Sequence, residues 1–87
     1  PKGSVESLKL KVESSDRPGI VNDITNILDD IGIEIVKIEN YRIGVADLGQ
    51  ALFIAELMVE VPSEVNVDQL LEAVQQVEED MRVSVAE

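Results

Sequence analysis

The sequence predicts an α+β sandwich of order βαββαβ, four antiparallel strands with two helices on one face. Three observations lead there. Two stretches repeat apolar residues at helical spacing, four others alternate or run apolar as strands do, and clusters of Gly, Pro and Ser stand between them. At 87 residues the chain has room for one small domain, spanning 1–87, and none for a second core.

The first strand is read over 7–13, where Leu8, Leu10 and Val12 alternate with Lys9, Lys11 and Glu13. Ser14-Ser15-Asp16-Arg17-Pro18-Gly19 ends that alternation. Ile20, Val21, Ile24, Ile27, Leu28 and Ile31 then form one stripe, which predicts a helix over about 18–31. Gly32 falls where helices commonly stop at positive φ. A second strand follows over 33–43, and its alternation changes phase between Ile35 and Ile38, as a bulge or an edge twist would require. Residues 44–50 read as a turn-rich link. The third strand, 51–61, turns Phe53, Ala55, Leu57, Val59 and Val61 inward and closes a hairpin with the second. Pro62-Ser63-Glu64 breaks it, and Val67, Leu70, Leu71, Val74 and Val77 mark a second helix over 66–79. A last strand, 81–86, is expected to bury Met81, Val83 and Val85.

This order is that of the ferredoxin-like sandwich, in which the first and third strands are central. Their outward faces would bring Lys9 and Lys11 near Glu56 and Glu60. The same face of the third strand shows Leu52, Ile54 and Met58, three apolar residues that call for cover by a second subunit or domain. The chain is therefore expected to form a homodimer or a higher homo-oligomer, with these three residues and the edge strand in the interface.

Eighteen acidic residues against seven basic ones give a net charge of −11, which repels nucleic-acid phosphates and anionic lipid surfaces. Neither is expected as a direct partner. Without Cys or His, disulfides, zinc fingers, thiol chemistry and His-based catalysis are excluded, and no cofactor is implied. The pairs Asp29-Asp30 and Glu78-Glu79-Asp80 lack the spacing of a calcium loop and read as solvated helix ends. No apolar run approaches the ~20 residues needed to cross a bilayer, so a cytoplasmic location is expected. A first residue that is Pro rather than Met suggests processing or excision from a longer parent.

One segment gathers unusual features: Asp16, Arg17, Pro18, Gly19, Ile20 and Val21, at the junction of the first strand and first helix. It has two readings. In the structural one, Asp16 caps the helix, Pro18 occupies its first turn and Gly19 permits close packing. In the functional one, the free amides and positive dipole end bind a carboxylate, Gly19 lets a ligand approach, and Asp16 holds an ammonium group. Together those describe a site for a zwitterionic amino acid.

Asp16-Arg17-Pro18-Gly19-Ile20-Val21, with Asp23-Ile24-Thr25, Leu28 and Gly32-Ile33-Glu34-Ile35, resembles the opening of an ACT domain, a small regulatory module that binds amino acids. Tyr41-Arg42, Leu52-Phe53, Val59-Glu60-Val61-Pro62, Val67-Asp68-Gln69-Leu70 and Val83-Ser84-Val85 are similar to the subgroup of glycine-cleavage-system regulators and formyltetrahydrofolate deformylases. The resemblance implies a non-catalytic regulatory module that pairs into dimers or larger assemblies, with effector sites near subunit interfaces. It places Asp16, Gly19, Ile20 and Val21 in the effector loop. Many amino-acid-binding members carry an Asn or His there, where this chain has Ser14 and Asp16. A purely structural ACT domain, mediating oligomerisation without ligand, is the alternative. An acylphosphatase-like enzyme shares the topology, but its phosphate-cradling loop is not matched.

Overall fold

The computed structural model describes residues 5–45 and 50–86, so most of the link expected over 44–50 lies outside the described residues. The elements follow in the expected order: β1 (Val5–Ser15), α1 (Ile20–Ile31), β2 (Glu34–Val45), β3 (Gln50–Pro62), α2 (Val67–Gln75) and β4 (Arg82–Ala86). The strands form one antiparallel sheet in the order β2-β3-β1-β4. Thus β1 and β3 are central, and β2 and β4 are the edges.

The alternation that defines each strand also decides which face is covered. Leu10 and Val12 of β1 share a face with Phe53, Ala55, Leu57, Val59 and Val61 of β3, all buried. Ile20, Ile24 and Leu28 of α1 and Leu70 and Val74 of α2 complete that core. Each such buried aliphatic contributes roughly 1.5–3 kcal/mol, so the two helical stripes and the inner sheet face hold the fold together. The phase change in β2 is a bulge, with the register against β3 shifting between Ile35 and Lys37. Ile35 and Ile38 are thereby both returned to the core side, one on each side of Val36. Gly32 stops α1 at φ 93°; its N–H donates to Asp29 O at 3.0 Å, and the Ile33 N–H donates to Leu28 O at 2.9 Å.

Four expectations are corrected. Helix α1 begins at Ile20, which leaves Pro18 in the preceding turn. Helix α2 ends at Gln75 rather than 79; the Gln76 and Val77 amides bond three residues back, to Ala73 O and Val74 O. That tighter turn still carries Val77 to the core. Val85 is 39% exposed, because it lies at the far end of an edge strand of only 5 residues. Ile54 stands on the open face, as its parity requires, but is only 6% exposed; Glu13 and Tyr41 lie directly opposite it on the two neighbouring strands. Of the three residues read as an apolar interface, Met58 is exposed and Leu52 half-buried. On the same face Lys9 Nζ reaches Glu56 at 3.4 Å, while Lys11 turns to Glu13 at 3.5 Å.

Candidate functional site: the loop between β1 and α1

The loop from Asp16 to Gly19 leaves the end of a central strand and enters the most buried helix. Gly19 makes that reversal at φ 79°, in the left-handed region where a Cβ costs about 1–2 kcal/mol. The space itself is open: a Cβ at this position meets only Arg17 Nη1, at 4.0 Å. Backbone conformation, rather than packing, therefore requires glycine here.

Asp16 does not cap α1. The helix starts from Gly19 with no side-chain cap, and the Asp16 carboxylate points elsewhere, accepting from Arg42 Nε of β2 at 2.9 Å. Its amide donates to Ala51 O at 3.0 Å. The second carboxylate oxygen, Oδ1, is shielded and has no partner among the described residues. A shielded carboxylate oxygen without a donor is an unmet acceptor, and leaving such a group unpaired costs roughly 1–3 kcal/mol. Arg42 in turn lies over the Phe53 ring, 5.5 Å from its centroid, so the Asp16–Arg42 pair rests on the end of the core.

Arg17 is a staple. Its Nη2 bonds Asp23 Oδ2 at 2.6 Å and its Nε bonds Glu78 Oε2 at 2.8 Å, with the Val77 carbonyl accepting at 3.4 Å. Those two carboxylates push its pKa up, Asp23 contributing more than Glu78. The loop is thus tied to its own helix and to the connection between α2 and β4. Asp80 repeats the tie, accepting from the Ser15 hydroxyl and, at 3.1 Å, from the Ser15 amide. The hydroxyl bond is the main cause that lowers the Asp80 carboxyl below its usual range. Glu78 and Asp80, read from sequence as solvated acids, hold this loop in place.

Of the six residues singled out from sequence, the structure places Asp16 to Gly19 in the loop and Ile20 and Val21 in the first turn of α1, and it divides their work. Asp16 offers an unsatisfied oxygen, Gly19 and Val21 offer backbone, and Arg17 is engaged internally. Pro18 is exposed, and Ile20 is spent on the core, its amide already donating to Arg17 O at 3.3 Å. Sequence reading named Arg42 only within the family resemblance and gave it no part in the site. It lies 26 positions from Asp16, and the only signal was its place on an edge strand paired with Phe53.

Residues 9–79 match the ACT domain family. The chain belongs to that family, whose members are typically regulatory, ligand-binding modules. No curated protein matches it. Among solved structures it is similar to a protein of unknown function from Galdieria sulphuraria, with 26% identity and a TM-score of 0.78 over 95% of this chain and 50% of that one. It is similar also to a formyltetrahydrofolate deformylase from Pseudomonas putida KT2440, with 12% identity and a TM-score of 0.74 over 94% of this chain and 29% of the enzyme. The ACT domain of a GTP pyrophosphokinase from Chlorobium tepidum aligns over 95% of this chain and all of that domain, with 20% identity and a TM-score of 0.68. The chain therefore spans half or less of the first two proteins. Those likenesses establish the fold, and the deformylase is of the type that the sequence resembles. Among the described residues no helix is long and apolar enough to cross a membrane.

Proposed function

We propose that this ACT domain is a non-catalytic sensor of a small amino acid, bound at the β1–α1 loop beside a subunit interface and coupled to the assembly state of the protein or its partner. The observation that carries this reading is Asp16 Oδ1, a shielded carboxylate oxygen without a donor among the described residues, next to a helix start that has no side-chain cap. An ammonium group supplies the missing donor. A carboxylate suits the first turn of α1, where Gly19 leaves the backbone uncovered. Arg17 positions the loop through Asp23 and Glu78 and does not itself hold the ligand. A calorimetric screen of free amino acids at millimolar concentration tests the reading. A ligand that releases heat and raises Tm supports it, since whatever binds only the folded state stabilises it. No response from any amino acid would leave the second reading, a structural module without ligand.

That second reading is favoured by one observation of its own. The edge strand β2 is 12 residues long and exposes Val36, Tyr41 and Ile43, and Met58 is exposed on the open face nearby. Unpaired edges of that length and apolarity are usually covered. Both readings expect a homodimer or larger assembly, which light scattering at micromolar concentration decides. A monomer throughout that range would contradict the assembly role.

A further inference from the structure

The open face of the sheet is divided by charge. The strand registers set Glu34, Glu39, Glu56 and Glu60 with Lys37 on its β2–β3 half, four acids against one base. They set Lys9, Lys11 and Arg82 with Glu13 on its β1–β4 half, three bases against one acid. On the acidic half Glu34 stands directly opposite Glu60 and Glu39 opposite Glu56, a placement that costs stability within a single chain. Lys37 and Lys9 offset the second of these pairs, while among the described residues no base meets the first. Arg82 is the converse, the one basic side chain among the described residues without an ion pair. Glu13 lies opposite it in register but is drawn to Lys11 Nζ at 3.5 Å. The helix layer is different again. There α1 and α2 present Asp23, Asp29, Asp30, Asp68 and Glu72 and no base, so contact between two copies on that side is opposed.

We infer that the open face packs against the same face of a second copy about a two-fold axis running along the strands, so that the β1–β4 half of each copy covers the β2–β3 half of the other. The inference rests on the assembly expected in both readings above and gives it a definite surface. An axis along the strands lays unlike charges together, whereas an axis across them would lay acids on acids. Row by row it carries Lys11 over the partner's Glu56, and Arg82 toward the partner's Tyr41 and Glu39, where a guanidinium gains a ring face and a carboxylate. Tyr41 and Met58, both exposed on this face, lose water in the same contact. With strands about 4.8 Å apart and rows about 7 Å apart, the face offers roughly 600 Å² per copy, the low end for a specific interface, so a micromolar dimer is expected. The edge of β2 is the poorer surface, because the bulge at Val36 interrupts the ladder that a second edge would need.

The chain has no cysteine, so single introduced cysteines report the contact. Glu39 and Ser84 are exposed, lie in one row on opposite edges of the sheet, and are superposed by this axis. Glu39→Cys and Ser84→Cys are expected to form a disulfide between chains when the two variants are mixed and oxidised, and neither is expected to cross-link to itself. In light scattering Arg82→Glu is expected to weaken the dimer about tenfold while leaving the far-ultraviolet circular dichroism unchanged, since Arg82 holds no ion pair among the described residues. Cross-linking of Glu39→Cys to itself would place the contact at the β2 edge or about a crosswise axis, overturning the inference and leaving the assembly standing. An Arg82→Glu dimer as tight as the parent overturns it in the same way. A parent chain that stays monomeric throughout the micromolar range overturns the inference and the assembly together, and leaves this face to a different protein.

Discussion

At the start of α2, Asn66 is extended (φ −82°, ψ 123°) and its side-chain oxygen accepts from the Gln69 amide at 3.1 Å. At the start of α1, Gly19 is left-handed and supplies no side chain, and the two nearest polar residues, Asp16 and Arg17, bond Arg42, Asp23 and Glu78. The start of α2 is satisfied within four residues of chain. The start of α1 is flanked instead by contacts reaching β2 and the α2–β4 connection. A helix that needs only to fold is capped locally, as α2 is. At α1 no side chain caps the helix, and the Ile20 amide alone of the first two turns back, to Arg17 O at 3.3 Å; on the proposed reading a ligand carboxylate completes that start.

The largest expected effect lies beneath that difference. Ile20, the first residue of α1, is 1% exposed, while Val67, the first of α2, is only half-buried. Ile20→Ala should cost about 2–5 kcal/mol and Val67→Ala about 1 kcal/mol or less in denaturant unfolding. Equal costs would mean that the two helix starts are anchored alike.

Next is the glycine. Gly19→Ala should cost about 1–2 kcal/mol, because the strain of a left-handed Cβ remains although there is room for the atom. Gly19→Asn should cost less, since Asn tolerates that region better. A cost for Ala well below this range would show that the loop relaxes to another conformation. Asn66→Ala, by loss of its cap, should cost about 1 kcal/mol and leave any amino-acid response of the protein unchanged.

The smallest effect is on pH dependence. Asp80 is held below its usual value of 3.8 chiefly by the Ser15 hydroxyl. Its contribution is present above that value and is lost as pH falls through the lowered folded pKa, because the unfolded chain takes up the proton first. Ser15→Ala should flatten the acid limb of a stability-against-pH curve below about pH 3.8 and change little at neutrality. An unchanged acid limb would remove Asp80 from the set of contacts that hold the loop.

Much of this molecule was legible in its sequence because period and punctuation are local. The stripes of α1 and α2, the stop at Gly32 and even the bulge near Val36 follow from residues a few positions apart. The site was legible as a segment and not as a mechanism. Asp16 looks like a cap in sequence, being the acid before a helix, and only the register of β2 against β3 brings Arg42 within its reach. Ile54 was misjudged for a similar reason: parity gives its face, whereas its exposure depends on Glu13 and Tyr41 of two other strands. The early end of α2 reflects competition between a continuing stripe and a tighter last turn that serves Val77 equally well.

The central claim, that the start of α1 and not that of α2 is a ligand site, is tested most directly by comparing amide shifts at the two helix starts while each of several small amino acids, glycine first, is titrated into the protein. The account predicts saturable changes at Asp16, Gly19, Ile20 and Val21, with none at Asn66 to Leu70, and loss of those changes in Asp16→Ala. Shifts of equal size at both helix starts, or a silent loop throughout the series, would contradict it.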